Sequence, residues 1–295
     1  MKETKLSFVH KLISEQFPNW ADLPINRFNS SGTDNIIYRL GKNMAVRLPS
    51  NEGGSLQIKK EYQWLPFIEK HLPVSVPTPI ALGNPIEEYP WHWSVYKWID
   101  GEDAITGRMD DPYQVAIDLG QCVKVLQRID PSGGPIPGDH NFWRGVPLAM
   151  RDEYVREAIA NLQNDIDTNL ATLAWEAALK APIWGKDPVW IHGDLLAGNL
   201  LINQGRLCAI IDFGGLGIGD PACDWLFAWS LLSVKNREKL RKELSVDEAT
   251  WERGRGWALS VGLIALPYYK ISNPVFAGIA RRLIEEALED YKKGV

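Results

Sequence analysis

The chain has 295 residues, of which 45% are hydrophobic and 23% are charged, and its formal net charge is −5. This length allows two lobes that each bury a core, and the composition is that of an ordinary globular protein. The negative net charge argues against nucleic acid as a partner, and no apolar run approaches the roughly 20 residues of a membrane span. The N-terminus lacks the apolar stretch of a signal peptide, and the three cysteines lie in apolar contexts, which predicts a reducing, cytoplasmic setting without a disulfide framework.

The first fifty residues are predicted to form one helix and three strands. Apolar residues at helical spacing predict an amphipathic helix over residues 5–17. Between residues 24 and 48 the period changes, and β-rich runs broken by two polar turns predict three antiparallel strands. The first turn, residues 29–34, could lay backbone N–H groups over phosphates, although an ordinary hairpin turn is the alternative. The candidate phosphate-binding residues there are Ser31, Gly32 and Thr33.

The next stretch predicts a flexible loop over residues 51–55 and a helix over residues 56–71. A second pair of strands follows, and the apolar run 93–99 leaves the first lobe. Further helices are predicted at residues 112–129, 150–164, 166–180, 221–233, 246–266 and 274–292. Residues 130–147 form a long loop rich in glycine and proline, and the pair Phe142-Trp143 favours an ordered, substrate-side loop over a disordered one.

Three oxygen-bearing side chains follow short apolar runs between residues 189 and 212, and they are Asp194, Asn199 and Asp212. In phosphoryl transfer, one carboxylate must face the acceptor hydroxyl, while an amide oxygen and a second carboxylate hold Mg²⁺ against the phosphates. His-x-Asp, then Asn five residues later, then Asp-Phe-Gly after a hairpin supplies that set. Asp194 is therefore the candidate base, and Asn199 and Asp212 are the candidate metal ligands. Ordinary turn residues would explain each polar position but not their joint spacing.

These motifs, with His-Gly-Asp at residues 192–194 and Gly-Asp-Pro-Ala-x-Asp at residues 219–224, resemble the aminoglycoside phosphotransferase family of small-molecule kinases. The resemblance spans nearly the whole chain and departs at Leu196-Ala197, where the family often has His-Pro. It implies an α+β, protein-kinase-like fold with a small antiparallel β-rich N-lobe over residues 1–96, a hinge over residues 97–101 and a large, mainly helical C-lobe over residues 102–295. It also implies Mg²⁺ as cofactor and ATP or GTP as phosphoryl donor.

The resemblance assigns nucleotide-binding roles in the first lobe and the hinge. Arg47 stands where kinases carry a lysine, and a guanidinium can fork onto two phosphate oxygens, although an exposed strand-edge arginine is the alternative. Glu61 would pair with Arg47, against the alternative of a surface glutamate. The nucleobase would be gripped by the Lys97 carbonyl and the Ile99 N–H, with the Tyr96 side chain behind the ring.

Two further residues are expected to support the catalytic loop. His192 is expected to hold this loop by a hydrogen bond rather than to do chemistry. Asp220 precedes a proline and therefore fits the N-cap of a helix, and the resemblance adds a role in bracing the catalytic loop.

The same residues bear on the class of substrate. Only seven residues separate Asp212 from Asp220, which leaves no platform for a peptide, so no protein substrate is expected. A non-catalytic nucleotide-binding module is a second alternative, but such proteins usually lose the base or a metal ligand. The resemblance leaves the acceptor open among aminoglycosides, macrolides, choline, homoserine and sugars. Residues 1–101 carry a net charge of +1 and residues 102–295 a net charge of −6, which favours a cationic, aminoglycoside-like acceptor.

Overall fold

A computed structural model describes residues 6–28 and 35–294, and its first part is a five-stranded antiparallel sheet. The strands follow the order β1-β2-β3-β5-β4 across the sheet. Their bounds are β1 (Ile25–Phe28), β2 (Asn35–Leu40), β3 (Met44–Pro49), β4 (Pro79–Gly83) and β5 (Trp93–Lys97). The three strands predicted between residues 24 and 48 are confirmed. The candidate phosphate-binding residues Ser31, Gly32 and Thr33 lie outside the described residues.

Two helices accompany this sheet. Helix α1 (Leu6–Gln16) matches the predicted amphipathic helix and buries Val9, Leu12 and Ile13. Helix α2 (Glu52–Ile68) begins four residues before the predicted start, so the predicted loop at residues 51–55 is wrong. Its N-cap explains the difference, because the Asn51 side chain accepts a hydrogen bond of 2.8 Å from the Gly54 N–H and stabilises a first turn that contains two glycines.

The second part is mainly helical. Its helices are α3 (Pro112–Leu126), α4 (Asp152–Asn161), α5 (Thr168–Lys180), α6 (Phe227–Leu231), α7 (Val234–Glu243), α8 (Glu248–Tyr269) and α9 (Pro274–Lys293). The predicted helix at residues 221–233 is instead a 3₁₀ helix, Pro221–Leu226, followed by α6, and helix α7 was not predicted. No helix in the described ranges is both long and apolar enough to cross a membrane.

Five short strands hold the loops of the predicted catalytic stretch. They are β6 (Glu102–Asp103), β7 (Val189–Ile191), β8 (Leu200–Asn203), β9 (Arg206–Ile210) and β10 (Gly217–Gly219). Strands β8 and β9 form a hairpin with β6 at its edge, and β7 pairs antiparallel with β10. The loop after β7 and the turn after β9 are thereby brought together.

The buried apolar residues form two cores. The smaller core joins α1 to one face of the sheet, where Trp93 and Val95 are buried. The larger core fills the helical part and includes Tyr96 from the same strand. Neighbouring residues of β5 therefore contribute to different cores, as expected for side chains that alternate across a strand. The architecture confirms the predicted α+β class, whereas the predicted lobe boundaries stay a prediction.

Candidate active site

The candidate catalytic loop, residues 192–199 and called the catalytic loop below, follows strand β7 and starts with a turn that requires glycine. Gly193 has a φ of 83°, and a Cβ atom there would lie 2.5 Å from the Gly215 carbonyl oxygen. A side chain at this position would therefore clash with the segment that follows Asp-Phe-Gly. The loop and that segment are packed backbone to backbone.

The carboxylate that braces this loop belongs to Asp224. Its two oxygens accept hydrogen bonds from the backbone N–H groups of His192 (2.8 Å) and Gly193 (2.7 Å). Burial raises the pKa of Asp224 to about 7. The bracing role expected of Asp220 is thus a misassignment, because Asp220 pairs with Arg253 at 2.7 Å and caps the 3₁₀ helix. Both acids belong to the same sequence motif, but only the structure shows which one reaches the loop.

His192 is fully buried and uses both ring nitrogens. Nδ1 accepts a hydrogen bond from the Asp194 N–H, and Nε2 donates to the Ile211 carbonyl, each at 3.1 Å. These partners define a neutral ring with its proton on Nε2. Burial lowers the pKa of His192 to about 4. Its contacts are those expected of a residue that holds the loop.

Asp194 and Asn199 are held together. The Asn199 Nδ2 group donates to both the carbonyl oxygen and the carboxylate Oδ2 of Asp194, each at 2.8 Å. These two bonds identify the nitrogen end of the amide, and the Asn199 Oδ1 accepts no hydrogen bond from the described residues. Burial raises the pKa of Asp194, while the guanidinium of Arg144 opposes this effect.

Asp212 lies beside Asn199, because the Ile211 N–H donates to the Asn199 carbonyl at 2.8 Å. Its backbone has a φ of 60°, and its side chain is 47% exposed. No group of three or more histidine, cysteine or acidic side chains in the described ranges could hold a metal ion by itself. One free amide oxygen and one exposed carboxylate nevertheless fit Mg²⁺, which prefers oxygen ligands and takes much of its coordination from waters and substrate phosphates.

A buried ion pair links the sheet to helix α2. Arg47 Nη1 donates to both carboxylate oxygens of Glu61, at 2.8 and 2.7 Å, and Arg47 Nη2 lies 3.1 Å from Asp212 Oδ1. The Tyr96 hydroxyl donates to Glu61 at 2.6 Å. Both members of the pair are buried, so an exposed strand-edge arginine and a surface glutamate are both excluded. The network connects the predicted phosphate-binding arginine to a predicted metal ligand.

The predicted hinge, residues 97–101, runs from the last residue of β5 to the residue before β6. Its start is fixed by the Lys97 N–H, which donates to the Thr78 carbonyl at 2.9 Å, and by the Trp98 N–H, which donates to the Asn43 carbonyl at 2.8 Å. The Ile99 N–H has no acceptor in the described part of the chain. Its availability is compatible with the predicted nucleobase contact, which stays a prediction.

Two cations near the site were not predicted. Lys60, next to Glu61 on α2, donates to the carbonyls of Gly214 (2.7 Å) and His140 (3.1 Å), and burial lowers its pKa to about 8. Arg144 lies in the predicted substrate-side loop, with Nη2 3.7 Å from Asp194 Oδ1. That loop is thus ordered and lies against the candidate base. Neither cation belongs to a sequence motif that would have indicated it.

Comparison with known proteins defines the class. The model of the phosphotransferase enzyme family matches residues 26–257. The solved structure of aminoglycoside 2'-phosphotransferase-IIIa with GDP is similar to 98% of this chain and 100% of that chain, with a TM-score of 0.75 and 20% identity. Macrolide 2'-phosphotransferase MphH from Brachybacterium faecium is similar to 94% of this chain and 98% of that chain, with a TM-score of 0.62 and 20% identity. The fold is therefore that of these phosphotransferases, and the chain belongs to the phosphotransferase enzyme family.

A curated relative is similar over a shorter stretch. The aminoglycoside 3'-phosphotransferase of Escherichia coli is 39% identical over 62 residues, which are 21% of this chain. The chain spans 23% of the length of that relative in this match.

Proposed function

We propose that the protein transfers the γ-phosphoryl group of ATP or GTP to a hydroxyl group of a small molecule. The observation that carries the proposal is the joint arrangement of Asp194, Asn199 and Asp212 next to the buried Arg47–Glu61 pair. Family membership supports the same reaction. A non-catalytic module is disfavoured because the base and both metal ligands are retained. The proposal places the protein in the cytoplasm, where nucleoside triphosphates are abundant.

In this mechanism, Asp194 accepts the proton of the acceptor hydroxyl through Oδ1, since Oδ2 is bonded to Asn199. A partly buried carboxylate with a raised pKa is a stronger base than an exposed one. Asn199 and Asp212 would hold Mg²⁺, which neutralises charge on the phosphate oxygens. Arg47 would bind the phosphates with the guanidinium that Glu61 orients.

An aminoglycoside-like hydroxyl compound is the first acceptor to test, and a macrolide is the second, because solved structures of similar fold carry those names. The net negative charge of the C-lobe supports a cationic acceptor less strongly once the positions of its charges are known. Acidic residues of the C-lobe pair with nearby basic residues away from Asp194, so the net charge of −6 is dispersed. Choline, homoserine and sugars remain alternatives.

The test is release of ADP or GDP by purified protein with Mg²⁺, ATP or GTP and a panel of such alcohols. Asp194→Ala should lower kcat by at least about 10²-fold while nucleotide affinity stays nearly unchanged, because the carboxylate faces the hydroxyl. Asp212→Ala should abolish Mg²⁺-dependent nucleotide binding, measured by calorimetry. Failure of every acceptor, or the reverse pattern in the two variants, would contradict the proposal.

A further inference from the structure

Arg144 is a buried cation with few partners. Arg144 is 9% exposed, and its buried Nε atom has no acceptor among the residues that the structure describes. Its contact with Asp194 Oδ1, at 3.7 Å, is longer than an N–H···O hydrogen bond, so this contact is Coulombic only. A guanidinium has five N–H donors, and burying one without an acceptor is costly. No hydrogen bond from the Arg144 guanidinium to the described residues is present, so its Nη2 group, beside the candidate base, is available to a ligand.

The surroundings of Arg144 add positive charge. Arg144 and Arg151 lie over the Trp257 ring, at 5.7 and 4.7 Å from its centroid, and Trp257 Nε1 is a second buried donor without an acceptor. Arg151 donates to the Ser260 hydroxyl and the Phe142 carbonyl, and it has no carboxylate partner in the described part of the chain. Burial, and then the like charge of Arg144, lowers the pKa of Arg151 to about 9. Two guanidiniums thus lie close together, and the carboxylates near Arg144 are those of Asp194 and Asp224.

The neighbouring carboxylates do not supply the missing acceptors. Both oxygens of Asp224 accept backbone N–H groups of the catalytic loop. Oδ2 of Asp194 accepts from Asn199, and its Oδ1 must remain open for the acceptor hydroxyl. Arg144 is thus more than a counter-ion for these acids. An oxygen-rich group from outside the chain, bound beside Asp194, would supply acceptors that the described residues do not.

The loop that carries Arg144 is held in a strained conformation. Phe142 and Trp143 are consecutive left-handed residues, with φ of 54° and 56°, a conformation that is strained for residues other than glycine. Asn141 fixes them, since its Nδ2 donates to the Arg144 carbonyl (3.1 Å) and its Oδ1 accepts from the Gly138 N–H (3.0 Å). The chain maintains this strain at the point where it brings a guanidinium to the candidate base.

Other cations of the site are already engaged. Arg47 binds Glu61 and Asp212, and Lys60 binds backbone carbonyls. The catalytic loop supplies none, because its middle residues are apolar and His192 is neutral. Among the described residues, Arg144 is therefore the cation near Asp194 that has unused donors.

We propose that Arg144 is a catalytic residue that donates hydrogen bonds to the phosphoryl oxygens while the phosphoryl group passes to the acceptor. This inference rests on the proposed function, because the phosphoryl group is the anion that such a reaction brings to Asp194. The acceptor oxygen forms a bond to phosphorus, and its proton goes to Asp194. The bond between phosphorus and the bridging oxygen breaks, and the electron pair leaves with the nucleoside diphosphate. Arg144 stays protonated throughout and stabilises the charge of the transferring group.

The experiment compares Arg144→Gln and Arg144→Lys with the matched control Arg151→Gln. Arg151 is equally buried, at 8%, and lies over the same ring, but it has no contact with Asp194. Arg144→Gln should lower kcat by roughly 10²- to 10³-fold, as the loss of an oxyanion donor does, with KM for nucleotide and acceptor changed less than about threefold. Arg144→Lys should recover part of the loss, and Arg151→Gln should change kcat far less. Thermal unfolding of each variant shows whether it folds.

A measurement of nucleoside diphosphate binding tests the role of Arg144 without requiring that an acceptor be phosphorylated. Aluminium fluoride with ADP or GDP and Mg²⁺ imitates the transferring phosphoryl group and needs no acceptor. Wild type and Arg151→Gln should bind the nucleoside diphosphate more tightly when aluminium fluoride is added, whereas Arg144→Gln should lose this gain. If this pattern holds but no alcohol in the panel is phosphorylated, the acceptor class in the proposed function fails, whereas the role of Arg144 towards the phosphoryl group stands. An unchanged kcat, a rise confined to the acceptor KM, or an equal gain in all three proteins would overturn the inference.

Discussion

Glu61→Gln tests whether the buried pair with Arg47 serves the nucleotide as well as the fold. Glu61 is fully buried and accepts three hydrogen bonds, two from Arg47 and one from Tyr96. Removing one partner of a buried ion pair costs about 3–5 kcal/mol. A glutamine side chain still offers one oxygen acceptor, and Arg47 still contacts the Asp212 carboxylate at 3.1 Å. We therefore expect the free energy of unfolding to fall by about 3 kcal/mol, at the lower end of that range.

The chain offers a close control in Asp290→Asn. Asp290 is 1% exposed and accepts three hydrogen bonds, two from the buried Arg237 and one from Trp229, and Arg237 keeps a second carboxylate in Glu286. Urea unfolding should therefore show similar losses in both variants. In Glu61→Gln, the Arg47 side chain is expected to shift towards the Asp212 carboxylate and away from the phosphates. Calorimetry should therefore show that the Kd for the Mg²⁺–nucleotide complex rises roughly 10- to 100-fold in Glu61→Gln but not in Asp290→Asn. Equal nucleotide Kd values in the two variants would refute the reasoning.

Three further predictions concern the catalytic loop. Gly193→Ala should abolish turnover and lower the melting temperature, because its Cβ would lie 2.5 Å from the Gly215 oxygen; an active, stable variant would contradict this geometry. Asp224→Asn should cost about 1–3 kcal/mol of unfolding free energy in urea and lower kcat, whereas Asp220→Asn should affect stability more than kcat. The pKa of His192 is about 4 in the folded protein, below its ordinary value of 6.5, so the unfolded chain takes up the proton first as the pH falls. The free energy of unfolding should therefore decrease between pH 6.5 and pH 4, by up to about 3 kcal/mol. This pH dependence should be absent from His192→Asn in acid-unfolding curves.

The fold could be predicted where local patterns agree with tertiary packing. Helix α1 and the first three strands follow from apolar periodicity alone. The start of α2 was missed because two glycines disfavour a helix, and the Asn51 cap that offsets them shows only in the structure. Helix α7 was missed because its sequence is strongly polar with few apolar positions.

The residues of the candidate site also differ in whether the sequence could predict them. Asp194, Asn199 and Asp212 could be named from the sequence because they lie close together along the chain at a spacing that the chemistry requires. Arg144 could not, since the 49 residues between it and Asp194 carry no pattern that predicts their contact. The bracing role was assigned to Asp220 instead of Asp224 for the same reason. The two acids lie four residues apart, and the sequence alone does not show which of them binds the catalytic loop.

Lys60 connects the parts of the site that the predictions treat one by one. Lys60 lies on the same helix as Glu61. Its ammonium group donates to the carbonyl of Gly214, which is two residues after Asp212, and to the carbonyl of His140, which is in the loop that carries Arg144. Lys60 therefore joins helix α2, the turn that carries the candidate metal ligand Asp212 and the loop that carries Arg144 at one buried point. Residues that share such a network give non-additive energies. The effects of Glu61→Gln and Arg144→Gln should therefore not sum in the double variant.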